Sequence, residues 1–320
     1  MKHYFIINPA AGTGKNVPSL IEKIETVCRE KKAEFEIYLT KSVGDAADFV
    51  KKICAEATEK LRIYSCGGDG TNNEVISGAA GSELAEVGFV PDGTGNDFVK
   101  CFKDPEKFLD ISAQLDARSE NIDLIDCNGN YVMNILNMGF DCEVVRRMEK
   151  LKRSPIVPSS MAYIMGVLVE LIRKPGIKLR VSLDGGEPEE KELLLSTFSN
   201  GRYYGGGFNA SPKARLRDGL MDVCFIKNIS RMKFISIVKD YKSGKYIDMK
   251  SLRSIVEFRR CRMARLEFAA DQSICIDGEL CERRTVDLKM LPLALKILIP
   301  KGTDFSEDES VAPNPLLASV

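Results

Sequence analysis

The sequence predicts an α/β N-terminal domain with a mostly parallel sheet, followed by an antiparallel β-sandwich-like domain. A length of 320 residues exceeds what one hydrophobic core usually organises, which favours two domains. Residues 1–120 alternate short β-type runs with amphipathic helical patterns, as chains with a parallel sheet and covering helices do. After about residue 121, runs rich in Thr, Val, Ile and Leu are separated by Asn-Gly, Asp-Gly and Gly-Gly pairs, which are typical of antiparallel hairpins.

The elements of the first domain, which is expected to span residues 1–121, follow in order. Strands are predicted near residues 2–7, 34–39, 61–66 and 86–90. Apolar residues at helical spacing over 20–28 and 46–57 predict the two helices that separate the first three strands. Thr71 and Glu74 fit a capping box, so a third helix is expected to begin immediately after Thr71.

The second domain is expected to span residues 122–301 and to contain a helix near residues 160–173. Its turn pairs occur at Asn128-Gly129, Asp184-Gly185, Asp218-Gly219 and Asp277-Gly278. Residues 302–320 are acidic, contain Ser and Pro, and lack a clear period. We therefore expect them to form a flexible tail.

Composition excludes several classes of function. The 46 basic and 46 acidic side chains balance, which gives no global reason to expect nucleic-acid binding. Ten cysteines without a C-x-x-C pair argue against a zinc site or a disulfide framework and suit a reducing compartment. His3 is the only histidine and lies in a predicted terminal strand, which excludes His-based catalysis and metal binding. No apolar run is long enough to cross a bilayer, so we expect a cytoplasmic protein.

Three loops that follow predicted strands carry the candidate chemistry: residues 8–12 (NPAAG), 67–71 (GGDGT) and 91–97 (PDGTGND). In a doubly wound sheet the carboxyl ends of the strands line one edge, so these loops should meet there. Glycines let backbone amides approach phosphate oxygens, and the helix that follows contributes its positive dipole end. Taken singly, each loop also fits a tight turn or a strand end. Together they indicate a phosphate-binding crevice.

Two better-known nucleotide motifs are excluded. Gly12-Thr13-Gly14-Lys15 looks like part of a P-loop, but Pro9 stands where the first glycine is needed and Asn16 replaces Ser or Thr. A G-x-G-x-x-G fingerprint is absent after the first strand, which weakens a dinucleotide oxidoreductase interpretation.

Taken together, the three segments resemble the diacylglycerol kinase catalytic domain and its bacterial lipid-kinase relatives, a superfamily that includes sphingosine and ceramide kinases. The second segment alone would also fit NAD kinases and phosphofructokinases. The third, Pro91-x-Gly93-Thr94-x-Asn96-Asp97-Phe98, separates the lipid kinases from them. Downstream, Asn137-Met138-Gly139-Phe140-Asp141 and Asp277-Gly278-Glu279 also fall in the family's order.

The resemblance implies an ATP nucleotide in the cleft between the domains and a catalytic Mg²⁺ held with the help of Asp69. The residues that would surround the nucleotide are Asn8, Pro9, Ala10, Ala11, Gly12, Thr40, Gly67, Gly68, Asp69, Gly70, Thr71, Asn72, Asn73 and Thr94. Glu279 would be the general base that accepts the proton of the acceptor hydroxyl. Its alternative is a simple hairpin turn, since Asp184-Gly185-Gly186-Glu187 shows that such turns recur here. Asp277 fits either a turn residue or an electrostatic partner.

A second, structural Mg²⁺ is also implied by the resemblance. Asp218 would bind it together with the main-chain carbonyls of Arg215 and Leu220. Some bacterial relatives carry an acidic residue where Arg215 stands, and its positive charge here leaves a plain Asp-Gly turn as the alternative.

These observations predict ATP- and Mg²⁺-dependent phosphorylation of a lipid hydroxyl, with diacylglycerol or a related glycerolipid of phospholipid metabolism as the acceptor. The alternatives are a kinase of a soluble acceptor such as NAD and a nucleotide-binding regulator without turnover. A homodimer is also expected from the family. Basic residues exceed acidic ones between Lys227 and Arg265, which predicts peripheral, salt-sensitive membrane association unless these charges point in different directions.

Overall fold

A computed structural model describes residues 1–12, 16–93, 95–152 and 176–306. Its strands are β1 Lys2–Ile7, β2 Phe35–Leu39, β3 Leu61–Gly67, β4 Ala85–Pro91, β5 Arg118–Cys127, β6 Asn130–Val132, β7 Ile135–Gly139, β8 Ile177–Leu183, β9 Glu189–Ser199, β10 Tyr203–Tyr204, β11 Phe208–Asn209, β12 Met221–Lys227, β13 Val256–Cys261, β14 Met263–Ile276 and β15 Glu279–Ile299. Its α-helices are α1 Val17–Glu30, α2 Asp45–Glu56, α3 Asp69–Ala79, α4 Ile111–Leu115, α5 Phe140–Lys152 and α6 Arg231–Lys242. Short 3₁₀ helices cover Phe98–Cys101, Pro105–Leu109, Lys245–Asp248 and Lys250–Leu252.

The first four strands lie side by side in the order β4-β3-β1-β2, and each neighbouring pair is parallel. Alternate residues of β1 face opposite sides of the sheet, because side chains alternate along a strand. Ile6 packs in the core that contains Val50 of α2 and Val75 of α3. Phe5 packs in a second core with Ile24 of α1. The sheet is therefore covered on both faces, and the loops after β1, β3 and β4 share one edge.

Antiparallel strands form the second part of the chain, in the order β13-β12-β9-β7-β14, with β8 against β9 and β14. One face buries a core that contains Phe198, Phe225 and Leu266. The other face is covered by α5 and α6, whose Phe140 and Phe234 rings lie 4.9 Å apart between centroids. In the described ranges, no helix is long and apolar enough to cross a membrane. The helix expected near residues 160–173 lies outside the described residues.

The last strand joins the two parts of the chain. The first half of β15 pairs with β14, and its end pairs with β5 and, through Ile297 and Val87, in parallel with β4. Ile299 and Phe305 pack in the same core as Ile6 of β1, and Phe305 is only 5% exposed. The end of β15 and Phe305 thus contact the first domain, although the sequence predicts residues 122–301 in the second domain and residues 302–320 in a flexible tail. Hydrophobic periodicity does not reveal which sheet a strand joins, and residues 307–320 of the predicted tail lie outside the described part.

Helix α3 begins earlier than the sequence predicts. Gly68 precedes its first residue, Asp69, so Thr71 lies inside the first turn and is not its cap. Both oxygens of Glu74, the expected partner of Thr71 in a capping box, accept hydrogen bonds from the N–H groups of Gly44 and Ala46 at the start of α2, at 2.9 and 3.2 Å. The capping-box prediction was wrong, because Glu74 stabilises the beginning of a neighbouring helix.

Candidate active site

The three predicted loops meet at one edge of the parallel sheet. The side-chain amide of Asn8 donates to Oγ1 of Thr71 at 3.0 Å, which ties the loop after β1 to the first turn of α3. A methyl group on Gly93 would lie 2.5 Å from Cα of Gly68, so the loops after β3 and β4 touch through their backbones. A methyl group on Gly12 would lie 2.6 Å from the carbonyl oxygen of Asp92. Only glycine allows such close approach, so the glycines of all three loops are needed for the loops to assemble.

Asn8 also shapes its own loop. Its side-chain oxygen accepts the N–H of Ala10 at 2.9 Å, and its carbonyl accepts the N–H of Ala11 at 3.0 Å. Pro9 and Ala10 are exposed at the tip of this turn. Thr40, which follows β2, is held at the same edge because its N–H donates to the carbonyl of Ile7 at 2.9 Å. Of these residues, Asn8 contacts the amino end of α3, whose free backbone N–H groups carry partial positive charge.

Two residues of the predicted set serve the helix itself. Asn72 is buried and accepts a hydrogen bond from the Ser65 hydroxyl at 2.7 Å, which fixes α3 on β3. Asn73 donates to the carbonyl of Tyr131 at 2.9 Å and so ties α3 to β6. Thr94, the last member of the predicted set, lies outside the described residues.

Asp69, the first residue of α3, has a carboxyl group whose ionisation is disfavoured by its surroundings. Burial, together with the nearby carboxylates of Asp97 and Asp277, raises its pKa from 3.8 to about 7, and the charge of Lys100 opposes this rise. A methyl group on Gly95 would lie 2.9 Å from Oδ2 of Asp69, so the third loop packs directly over this carboxyl. A positive charge at this point would be strongly favoured.

The pKa of Asp69 is also affected by an ion pair between Asp97 and Lys100, which was not predicted from the sequence. Asp97 is buried, and its carboxylate lies 2.6 Å from the Lys100 amine, which also donates to the carbonyl of Gly95 at 2.8 Å. The N–H of Gly206, at the tip of the β10–β11 hairpin, donates to the same carboxylate at 2.9 Å. The spacing of Asp97 and Lys100, three residues apart, was the available signal for this pair. No local pattern pointed to Gly206.

The turn that joins β14 and β15 brings the predicted base to the first domain. A methyl group on Gly70 would lie only 2.7 Å from Oε1 of Glu279, so the two residues are in contact. Asp277 holds this turn in place, because its carboxylate accepts the N–H groups of Met133, Asn134 and Ile135 at 2.7, 3.0 and 2.8 Å. Burial also raises the pKa of Asp277 to about 6. The structure therefore favours an anchoring role for Asp277, and it places Glu279 at the amino end of α3.

The residues around Asp69 suit a magnesium ion that is bound mainly through phosphates. Within the described ranges, no three acidic, Cys or His side chains converge in a group that could hold a metal ion. Mg²⁺ commonly takes only one or two carboxylates and completes its shell with water and substrate phosphates. Asp69, which lies near the carboxylates of Asp97 and Asp277, would be one such ligand.

The predicted second metal site already contains hydrogen-bond and charged partners from the chain itself. Asp218 accepts the N–H of Leu220 at 3.1 Å, as in an ordinary Asp-Gly turn, and burial raises its pKa, while the charge of Arg215 opposes this effect. The Arg260 guanidinium lies 3.8 Å from Asp218 and 2.8 Å from the buried carboxylate of Asp222. Because Arg260 already supplies the positive charge, we assign no role to a second ion here.

Comparison with known proteins agrees with this architecture. Residues 2–127 match the model of the diacylglycerol kinase catalytic domain. Residues 134–299 match the model of the YegS C-terminal NAD kinase beta sandwich-like domain. The two-domain architecture predicted from the sequence is therefore confirmed.

Relatives extend over most of the chain. A diacylglycerol kinase from Mycobacterium tuberculosis is 28% identical over 264 residues, which cover 80% of this chain and 82% of that protein. A protein named "Probable lipid kinase YegS-like" from Pseudomonas aeruginosa is 29% identical over 277 residues, covering 86% of this chain and 88% of its own length. A crystal structure of a diacylglycerol kinase from Bacillus anthracis superimposes with a TM-score of 0.68 at 20% identity, over 94% of this chain and 97% of that one. This last likeness supports the fold.

Proposed function

Since this chain belongs to the diacylglycerol kinase catalytic-domain superfamily, we propose that it transfers the terminal phosphoryl group of ATP to a hydroxyl group of a membrane lipid. The single observation that carries the proposal is the contact between Glu279 and the amino end of α3. It brings a carboxylate from the second domain to the glycine-rich loop of the first. A proton acceptor and a phosphate-binding backbone are the two parts that phosphoryl transfer to an alcohol needs.

The nucleotide is proposed to lie between the two domains. Its phosphates would rest against the free N–H groups at the start of α3 and against the loop of residues 8–12, where Asn8 and Thr71 hold the backbones together. Gly68 and Gly70 leave room for phosphate oxygens because no Cβ stands in the way.

Asp69 and Glu279 are given separate tasks in this proposal. Asp69 would orient Mg²⁺, which when bound neutralises phosphate charge and positions the phosphates for transfer. Glu279 would accept the proton of the attacking hydroxyl, because it lies beside Gly70 and hence beside the phosphates. Lys100 holds Asp97 in an ion pair, which limits the negative charge that faces Asp69.

A lipid acceptor, diacylglycerol or a related glycerolipid of phospholipid metabolism, is supported by the names of the relatives from Mycobacterium tuberculosis and Pseudomonas aeruginosa. A soluble acceptor such as NAD is the second candidate, because the model matched by residues 134–299 is described as NAD kinase-like. A regulator without turnover is disfavoured, since Asp69 and Glu279 are both present and close to each other through Gly70 and Gly278.

The test is to incubate the protein with radiolabelled ATP, Mg²⁺, mixed lipid extract and NAD, and then to separate organic from aqueous products. Label on an organic-phase lipid supports the proposal, whereas label on NAD in the aqueous phase contradicts it.

Glu279→Gln should abolish transfer and retain nucleotide binding, because it removes the proton acceptor with little change in shape. Glu282→Gln, which alters an exposed glutamate on the same strand, is the matched control and should retain transfer. Near-normal turnover by Glu279→Gln would refute the assignment of the base.

A further inference from the structure

Helix α6 exposes large apolar side chains on the side that faces away from the protein. Met232 is 76% exposed and Ile235 is 51% exposed, whereas Phe234, Ile237 and Tyr241 are buried. The inward residues follow helical spacing and fill the core beneath the helix, so the orientation of α6 is fixed. The two exposed apolar residues therefore stay in solvent unless something outside the described chain covers them.

Lysines continue the same face toward the end of the helix. Residues three and four apart share one side of a helix, so Met232, Ile235, Lys239 and Lys242 form one stripe, which we name the α6 face. Within the part of the chain that the structure describes, neither Lys239 nor Lys242 forms an ion pair, and the Lys242 amine lies 5.4 Å from the centre of the Phe208 ring. The stripe is thus apolar over its first turns and positively charged at its end.

The structure also shows which charges between residues 227 and 265 can act on a distant surface. In the strands, Arg259 pairs with Glu189 at 2.9 Å and Arg265 pairs with Asp287 at 3.0 Å, so these charges are locally balanced. Beyond α6, Lys245, Lys250 and Arg253 are exposed. Arg262 is also exposed, but α6 and the residues that follow it carry more of the positive charge, even counting Asp240 and Asp248, of which Asp248 pairs with Lys213.

A single hairpin separates the α6 face from the candidate active site. The hydroxyl groups of Tyr241 in α6 and Tyr204 in the β10–β11 hairpin lie 3.0 Å apart. The tip of the same hairpin donates from the Gly206 N–H to Asp97, beside Asp69. The β10–β11 hairpin therefore contacts both α6 and the candidate active site. A lipid surface bound to α6 would be linked to the site through this hairpin.

We propose that the α6 face docks on an anionic lipid membrane, with Met232 and Ile235 entering the boundary between headgroups and acyl chains and Lys239 and Lys242 facing lipid phosphates. Exposed apolar side chains followed by basic ones are what a surface-bound amphipathic helix uses. Charge favours this partner over a second copy of the chain, because a second copy would bring the same lysines without acidic partners. The docking model rests on the proposed function in that the acceptor is a membrane lipid.

The test measures binding to sedimented phosphatidylcholine vesicles with increasing phosphatidylglycerol, in the absence of ATP. Wild-type binding should rise with phosphatidylglycerol and fall with salt, because salt screens exposed charges. Lys239→Glu with Lys242→Glu should weaken binding at least tenfold, since one lysine near an anionic surface contributes about fivefold. Lys51→Glu with Lys52→Glu makes the same charge change on the exposed surface of α2 and should have a much smaller effect.

The apolar part is tested by Ile235→Glu, with Leu109→Glu as its control. Leu109 is 49% exposed, nearly the same as Ile235, and lies in the first domain. We expect Ile235→Glu to weaken vesicle binding about tenfold or more, since it removes apolar contact and adds a negative charge. Leu109→Glu should bind as the wild type does. Equal losses in both variants, or binding that ignores salt and lipid charge, would overturn the docking model.

Two further results separate this proposal from the others. If the wild type is a dimer and Ile235→Glu makes it monomeric, the α6 face belongs to a second copy and the membrane proposal fails. Vesicle binding is measured without ATP, so it does not depend on catalysis. If the protein binds vesicles but phosphorylates no lipid in the labelling assay, the docking surface is supported and the proposed function is refuted. Phosphorylation of detergent-dispersed lipid without vesicle binding would do the reverse.

Discussion

Replacing Asp69 with asparagine should remove activity and at the same time make the ligand-free protein more stable. Burial and the neighbouring carboxylates of Asp97 and Asp277 raise the pKa of Asp69 from 3.8 to about 7. In the unfolded chain the carboxyl group is in water and ionises at its ordinary pKa. Ionisation of Asp69 therefore favours unfolding, and asparagine cannot ionise.

The magnitude follows from the two pKa values of Asp69. Because one pKa unit corresponds to about 1.4 kcal/mol, the rise from 3.8 to about 7 costs up to about 4 kcal/mol of folding free energy once the group is ionised in both states. Below about pH 4 the carboxyl group is protonated in both the folded and the unfolded state, so it does not lower the free energy of unfolding. Stability is lost as pH rises from there through the folded pKa of about 7. We expect the Asn variant to gain nothing near pH 3, about 1.5 kcal/mol near pH 5 and about 4 kcal/mol near pH 8.

The assay is urea unfolding of both proteins across this pH range without nucleotide or metal, which gives the free energy of unfolding for each. Asp271→Asn is the control, because it removes a carboxylate from an exposed position on β14 and should change stability little at any pH. In a second series, Mg²⁺ and ATP should raise the stability of the wild type more than that of the Asn variant, since a ligand stabilises the state that binds it. Identical pH dependence of wild type and Asp69→Asn would refute the electrostatic reasoning.

Two further substitutions test contacts around α3. Gly70→Ala places a methyl group 2.7 Å from Oε1 of Glu279; it should displace that flexible carboxylate and lower kcat at least tenfold, while the free energy of unfolding rises by up to about 1 kcal/mol because alanine favours helix. An unchanged kcat would show that Glu279 is not the general base. Glu74→Gln should lower the free energy of unfolding by about 1–2 kcal/mol, because one of the N–H groups of Gly44 and Ala46 loses its carboxylate acceptor. Unchanged urea unfolding would show that these hydrogen bonds do not stabilise α2.

The meeting of the three loops was predictable because it depends on local order along the chain. Short apolar strands alternate with helices, and the carboxyl ends of such strands must share an edge, so the glycines of residues 8–12, 67–71 and 91–97 had to approach one another. The start of α3 was predicted wrongly, because the capping-box rule considers only local sequence. Thr71 and Glu74 have the spacing of a capping box, but Glu74 finds two free N–H groups on α2, which the sequence around α3 cannot reveal.

The place of β15 was not predictable in this way. Its 21 residues continue from the second domain into the first, where Ile297 pairs with Val87 of β4. Beyond this strand, Phe305 packs against Phe102 with ring centroids 5.2 Å apart. Nothing in the local pattern separates a strand that stays in one sheet from one that joins two, because both alternate apolar and polar residues.

Two Asp-Gly turns show how far sequence reaches toward the site. Asp184-Gly185 and Asp277-Gly278 have the same residues and the same conformation, with φ values of 51° and 74° in the first turn and 46° and 97° in the second. Asp277-Gly278 forms the two-residue connection between β14 and β15, whereas Asp184-Gly185 begins a longer connection, residues 184–188, between β8 and β9. Their surroundings differ: the Asp184 carboxylate accepts backbone N–H groups at an exposed edge, whereas Asp277 accepts three from the β6–β7 connection and lies close enough to Asp69 to raise its pKa. The turn at 277 therefore presents Glu279 to α3 because of its position in the sheet, and only tertiary structure separates it from its counterpart at 184.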